Sequence, residues 1–326
     1  MIRPRYKWIV ATASLISLFL LYRYLTIVDT EKVPIQTHTD VFDRTTEVTG
    51  PSPPIMGYLQ DIEFVDSNKS AAICRGNPKT IVIVISSTDN YRQRRVIRST
   101  WASKPTSDIR FAFLLGLSAD RLWDRFISLE MDTHGDVILF NMIDTYYGLT
   151  LKTGALVKWV RDNCRRAKNV IKIDDDMYLD AGQLTSALDA HAHRKTYFMC
   201  RVFKTPPVDR DRKSKYYVSK DVWPAPNFPT HCSGPGYAFT ANLVPVMWRT
   251  ALRMKLFNNE DVWWTGIVAG RIRGVKHIKD KRIYLTPRLK NWCETKPFVV
   301  AHGLSPENLL AIWRDKMANK TCPPPK

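Results

Sequence analysis

Asp174, Asp175 and Asp176 stand side by side at the end of the run VIKIDDD. Two unit charges about 4 Å apart repel by about 1 kcal/mol in water and about 4 kcal/mol near a protein surface. Such a triplet is either spread out in solvent or gathered around something positive. In an extended segment residues i and i+2 point the same way, so Asp174 and Asp176 can face one site. Two carboxylates converging on one point suit a hard divalent cation such as Mn²⁺ or Mg²⁺. A cation so held can bridge a diphosphate and neutralise charge on it as it departs. A solvated acidic turn would carry the same triplet, and D-x-D spacing alone does not separate the two.

The elements around the triplet show where in a fold it would fall. TIVIVISS (80–87), RFAFLLG (110–116), DVILFNM (136–142) and NVIKI (169–173) are short, β-rich apolar runs. Runs of this kind suit strands buried on both faces, as in parallel sheets. Between them, Thr150 is expected to cap a helix reaching about Arg166, with Leu151, Leu156, Trp159 and Val160 as its apolar stripe. A second helix is expected from Gly182 to Ala192, and Ser305-Pro306 opens a third, with a capping residue and Pro at its first position. Alternating strands and helices predict an α/β, Rossmann-like fold with a mostly parallel sheet. No GxGxxG follows the first strand, so a standard dinucleotide site is not supported. In open α/β sheets ligands bind beyond the carboxyl ends of the strands, which is where the triplet falls.

Ahead of this domain, Arg3, Arg5 and Lys7 precede an apolar segment from Trp8 to Val28. That is close to the ~20 residues a helix needs to span a bilayer. A cleaved signal peptide is the competing reading. No small-x-small pair follows the apolar core, and Trp8, Tyr22 and Tyr24 suit the membrane interfaces. The expected organisation is a cytoplasmic tail (1–7), a transmembrane signal anchor (8–28), a Pro-interrupted stem (29–78) and a lumenal catalytic domain (79–326). The compartment expected is the Golgi membrane, in single-pass type II topology. Six cysteines, none in a CxxC pair, fit disulfides in an oxidising compartment. Six cysteines allow fifteen pairings, and sequence does not choose among them. Asn68 and Asn319 head N-x-S/T sequons open to glycosylation in that topology. The net charge of +18 is scattered along the chain and reads as a solvated basic surface suited to anionic phosphate or acidic glycans, not nucleic acid.

Six ordered motifs over about residues 80 to 315 resemble glycosyltransferase family 31, the β-1,3-glycosyltransferases that include galactosyl- and N-acetylglucosaminyltransferases. They are RRVIRSTW (94–101), FLLG (113–116), DTYYGLTLKT (144–153), KIDDD (172–176), CSGPGYAFT (232–240) and EDVWWTG (260–266). Three departures stand out: Gly148 where Asn is usual, Pro235 inside the glycine pair, and one residue more in the last motif than the commoner E-D-V-Y-x-G.

The resemblance implies a single glycosyltransferase-A domain that binds a UDP-sugar through Mn²⁺ (or Mg²⁺). It implies an inverting hexosyltransferase moving galactose, or an N-acetylhexosamine, to the 3-hydroxyl of an acceptor glycan on lipid or protein in β linkage. Carried onto this chain, Asp176 is the main metal ligand, with Asp174 and His302 completing the set and Asp174 and Asp175 also near the donor. His302 could equally be a loop histidine bonded to backbone. Asp261 becomes the general base, with Glu260 bracing beside it, although an acidic pair at a helix N-terminus is also favoured by the macrodipole. Arg94, Arg98 and Lys152 are donor-binding candidates, because guanidinium forks and ammonium groups suit phosphate. Arg98 and Trp101 could instead tie a helix to Asp144 or to the core. Gly234 and Gly236 would let backbone approach the donor sugar. Trp223, Trp263 and Trp264 could stack on acceptor sugar rings, although core tryptophans are commoner. A membrane-anchored glycan-binding protein without turnover is the alternative, but it would need no base. A glycoside hydrolase would also pair carboxylates, yet it has no need of a D-x-D metal site.

Overall fold

Ile81, Ile83 and Ile85 alternate with Val82 and Val84 along one strand, and both sets are buried. They feed two separate apolar layers, one on each face of a central sheet. The computed structural model describes residues 56–103, 108–145, 148–214, 216–284, 289 and 291–323. Eight strands form the main sheet: β1 (Phe64–Val65), β2 (Thr80–Ile85), β3 (Ile109–Leu117), β4 (Val137–Ile143), β5 (Asn169–Asp174), β7 (Tyr197–Phe203), β8 (His231–Thr240) and β9 (Lys276–Lys279). Their order is β1-β4-β3-β2-β5-β8-β7-β9. The four strands expected from sequence, β2 to β5, lie side by side and parallel. Strand β8 runs antiparallel between β5 and β7, and β1 antiparallel on the far edge. The sheet is therefore mixed and mostly parallel, as expected.

Chain order reverses between β2 and β5, which makes the carboxyl ends of these two strands the topological switch point. Ile85 pairs with Asp174 there, so Ser86 and the acidic triplet emerge together. A second sheet joins β6 (Tyr178–Leu179), β11 (Val300–Ala301) and β10 (Ile283–Tyr284). Ala301 pairs antiparallel with Tyr178, so the chain leaving β11 passes back over the end of the triplet. That pairing delivers His302.

The longer helices are α1 (Tyr91–Ser99), α2 (Arg121–His134), α3 (Leu149–Asn163), α4 (Ala181–Asp189), α5 (Val244–Ala251) and α6 (Pro306–Met317). Helix α6 starts as expected, with the Ser305 hydroxyl accepting from the Asn308 amide at 3.2 Å. The cap of α3 differs. Gly148 occupies the cap position and Thr150 lies inside the helix, where its hydroxyl donates to the Phe257 carbonyl at 2.9 Å. Buried Thr150 finds its partner across the fold, so it has no call on the helix end.

The expected stem also ends sooner than residue 78. Leu59 and Ile62 are wholly buried, and Ile73 and Cys74 nearly so, all in the layer that packs on α3. Cys74 is bonded to Cys164 at the end of α3. Short runs of helix and strand replace the linker from Met56 onward because these apolar residues have a core to enter. The other disulfides are Cys200–Cys232, between β7 and β8, and Cys293–Cys322. Among the described residues no helix is long and apolar enough to cross a membrane. The anchor expected at 8–28 lies outside them.

Candidate active site

The triplet divides its work. Asp175 turns inward, accepting from the Ser86 hydroxyl at 2.6 Å and the Asn90 amide at 2.9 Å. Burial pushes its carboxyl up to about 6, against the pull of those two hydrogen bonds. Asp174 accepts from Lys172 at 2.7 Å, and burial raises its carboxyl while the ammonium opposes the rise. Asp176 faces His302, with Oδ2 3.2 Å from Nε2. Ligand atoms of Asp174, Asp176 and His302 all lie within 4.8 Å of one another. Asp176 Oδ1 is buried and has no hydrogen-bond partner among the described residues. An orphaned buried carboxylate oxygen costs on the order of 1–3 kcal/mol unless something positive meets it. Two carboxylate oxygens and an imidazole nitrogen form a donor set that Mn²⁺ or Mg²⁺ can accept. The residues therefore fit the expected cation.

Backbone contacts fix this turn from two sides. The Trp101 indole donates to the Met177 carbonyl at 2.9 Å, and the Leu304 amide donates to the Asp176 carbonyl at 2.9 Å. Trp101 is thus a buttress of the acidic turn.

The second carboxylate pair sits across β8. Asp261 is half-buried, caps the helical turn that follows, and accepts from the Val262 amide at 2.8 Å. Burial raises its carboxyl above the ordinary range, while the Val262 amide and Lys172 oppose the rise. Glu260 is 7% exposed and receives two hydroxyl protons on Oε1, from Tyr237 at 2.6 Å and Thr153 at 2.8 Å. Its Oε2 lies 3.9 Å from the Lys172 ammonium. Glu260 thus braces Tyr237, Thr153 and Lys172 against one another.

Lys172 is a residue of this cluster that the sequence did not single out. Buried in β5, it donates to Asp174 and to the Gly234 carbonyl, each at 2.7 Å, and faces Glu260. It links the metal-capable carboxylates to the glycine strand and the acidic pair. A charged residue inside an otherwise apolar strand was the available signal.

Several expected ligands hold other posts. Arg94 is 0% exposed, with its fork on Glu130 at 2.8 and 2.9 Å and its remaining donors on Ser86 and the carbonyls of Ser87 and Thr88. No donor is left to meet a phosphate. Arg98 clasps Asp136 at 2.7 and 2.8 Å and also pairs with Glu130. Lys152 is buried against Asp144 and donates to the Ser86 carbonyl at 2.6 Å. All three stand behind the site and hold its walls. Gly234 and Gly236 make room for neighbouring protein: a Cβ on Gly234 would sit 3.2 Å from Asp261 Oδ2, and one on Gly236 would sit 3.1 Å from the Met177 methyl. Pro235, between them, is tolerated because the β7–β8 register slips there. Trp263 and Trp264 are 0% exposed, their indoles donating to the carbonyls of Lys255 and Thr150. Neither can stack on an acceptor sugar. Trp223 is half-buried against Phe228 and Phe257. Asn68 and Asn319 are both exposed, whereas Ser70 of the first sequon is buried and holds the Trp159 indole.

Comparison with known proteins shows the family of the chain. The galactosyltransferase family profile matches residues 92–281. Beta-1,3-galactosyltransferase 1 of Homo sapiens, and that of Mus musculus, is 32% identical over 253 residues, covering 76% of this chain and 77% of the relative. UDP-GalNAc:beta-1,3-N-acetylgalactosaminyltransferase 1 of Rattus norvegicus is 30% identical over 274 residues, covering 81% and 82%. Among solved structures, 4-diphosphocytidyl-2C-methyl-D-erythritol synthase of Anaerococcus prevotii overlays with a TM-score of 0.38 at 15% identity, over 64% of this chain and 89% of that one. With a matched profile across more than half of its length, this chain belongs to the galactosyltransferase family, glycosyltransferase family 31.

Proposed function

We propose that the protein is an inverting β-1,3-hexosyltransferase of glycosyltransferase-A type, taking galactose, or an N-acetylhexosamine, from a UDP-sugar to the 3-hydroxyl of an acceptor glycan. The observation that carries this reading is the convergence of Asp174, Asp176 and His302 at the switch point, with Asp261 held across β8. The names of the relatives support the choice of sugar and linkage. A Mn²⁺ or Mg²⁺ ion held by Asp174, Asp176 and His302 would supply positive charge to the diphosphate of the donor.

The chain's own groups do the rest. Asp261, as the carboxylate, takes the proton of the attacking hydroxyl. The acceptor oxygen bonds to the anomeric carbon, and the bond from that carbon to UDP breaks with its electron pair staying on UDP. Attack comes from the face opposite UDP, so the configuration inverts. Proton removal by a positioned base contributes about 10²–10⁴ in rate. Burial lifts the Asp261 carboxyl above the ordinary carboxylate range, which strengthens it as a base. Glu260 and Lys172 keep Asp261 and Gly234 in register.

The setting proposed is a Golgi membrane, with residues 8–28 as anchor, a stem ending near residue 55 and the catalytic domain in the lumen. All six cysteines pair, which suits an oxidising compartment. The test offers the purified full-length chain a panel of UDP-sugars with Mn²⁺ and simple glycoside acceptors, and reads the product linkage by NMR. A new β-1,3 linkage from one donor is expected. Release of free sugar without transfer, or no turnover with any UDP-sugar, overturns the reading.

A further inference from the structure

The segment after Asp261 is not an α-helix. Val262–Val268 coils as a π-helix, a form with wider turns that occurs mostly as single inserted turns, frequently at functional sites. Both ends of its first turns are pinned. Asp261 lies against Gly234, and a Cβ on Gly266 would come within 3.1 Å of Pro229 and His231, so each must stay where it is. From Glu260 to Gly266 the chain has one residue more than the E-D-V-Y-x-G form. A π-turn holds one residue more per turn than an α-turn, which matches that extra residue. Inside it, Trp263 and Trp264 fill the core on different neighbours, and Thr265, wholly buried, spans the gap.

The Thr265 hydroxyl bonds in both directions. It donates to the Asp261 carbonyl at 2.6 Å and accepts from the Cys232 amide at 2.8 Å. Cys232 is the second residue of the strand that carries Gly234, and its sulfur is tied to Cys200. The Thr265 carbonyl in turn lies 2.6 Å from His277 Nε2, and because a carbonyl oxygen only accepts, Nε2 is the donor. A continuous chain of hydrogen bonds thus runs from β9 through Thr265 to the backbone of Asp261.

We infer that Thr265 is a positioning residue for Asp261, its hydroxyl clamping the π-turn to the start of β8 so that the carboxylate is aimed across Gly234. The inference rests on Asp261 being the proton acceptor of the proposed reaction. A misplacement of about 1 Å in a reacting group costs on the order of 10²-fold in rate. Thr265→Val keeps the shape and removes the hydroxyl, whereas Thr265→Ser keeps the hydroxyl.

The experiment compares both variants with the full-length chain. It measures kcat and KM, UDP binding with Mn²⁺ by calorimetry, and hydrogen exchange at the Cys232 and Val262 amides. Thr265→Val is expected to lower kcat by about tenfold or more at unchanged UDP affinity. Exchange at Cys232 should speed up, and so should exchange at Val262, whose amide reports the Asp261 carboxylate. Thr265→Ser should restore both. If Thr265→Val keeps kcat within about twofold, or Thr265→Ser fails as badly, the clamp is refuted. If the unaltered chain transfers no sugar, the proposed function falls, and unchanged exchange at Val262 in Thr265→Val would separately sink the positioning claim.

Discussion

Asp261→Asn and Glu260→Gln remove one negative charge each from neighbouring residues, yet the structure sets them far apart in effect. Asparagine at 261 keeps the size of the side chain and can keep an oxygen toward the Val262 amide. What it loses is the ability to accept a proton. Loss of a general base costs about 10²–10⁴ in kcat, and at about 1.4 kcal/mol per tenfold that is about 3–5 kcal/mol of barrier. UDP binding should stay, because the cation-holding residues lie across β8 and are untouched. Glutamine at 260 keeps an acceptor for Tyr237 and Thr153 but turns an amide group toward Lys172. A buried donor facing an ammonium costs on the order of 1–3 kcal/mol of stability. Its turnover should fall less than tenfold, through position alone. The two variants are compared by initial rates at saturating donor, calorimetric UDP binding and urea unfolding. The pH profile adds a second axis. Only the ionised carboxylate can take a proton, and burial has raised the Asp261 carboxyl, so activity should drop on acidification through that raised value. The residual activity of Asp261→Asn should lack that limb. If Glu260→Gln loses more turnover than Asp261→Asn while folded and UDP-competent, the roles given to the two residues are wrong.

Four further outcomes follow from the same contacts. Glu130→Gln strips the buried partner from Arg94 and should cost about 3–5 kcal/mol in urea unfolding, with little change in donor KM in the folded fraction. Burial pushes the Glu130 carboxyl up, but Arg94 and Arg98 overrule it and hold it below its ordinary value. Its stabilisation is thus complete above the unfolded-state value of about 4.3 and is lost as pH falls through the lowered folded one, a slope that Glu130→Gln should lack. His302→Ala should weaken Mn²⁺-dependent UDP binding by at least about tenfold in calorimetry, and chelation should abolish binding in the unaltered chain. The double variant Cys74→Ser, Cys164→Ser opens a link across 90 residues, for which chain entropy predicts a loss of roughly 4–5 kcal/mol.

What sequence could reach was set by how local the cause is. Strands β2 to β5 were legible because parallel strands covered on both faces must be largely apolar runs, and Lys172 is the one charged residue buried within them. The acidic triplet and the Glu260-Asp261 pair were legible as motifs. Helix α6 announced its own start through Ser305 and Pro306. The Thr150 cap failed because a hydroxyl chooses the best partner in three dimensions, and Phe257 is 107 residues away. The stem failed in the same way: Leu59, Ile62 and Ile73 look sparse in the chain and become core only against α3.

The arginines and tryptophans carry the more general lesson. A guanidinium near a nucleotide-binding strand and a tryptophan beside a catalytic pair are chemically right for phosphate and sugar, so their types alone point to ligand. Whether they reach it depends on which polar groups the fold must bury. Glu130 has to be neutralised inside the layer beneath α2, and Arg94 and Arg98 are taken for that task. Ser86, held by Arg94, in turn holds Asp175, so the arginine still shapes the acidic turn from behind. Lys152 does the same through the Ser86 carbonyl, and Trp101 through the Met177 carbonyl. The motif residues that do not face open space form the supporting wall for the few that do. A family signature read from sequence therefore marks the whole rigid unit, and only burial separates the groups that can touch substrate from those that aim them.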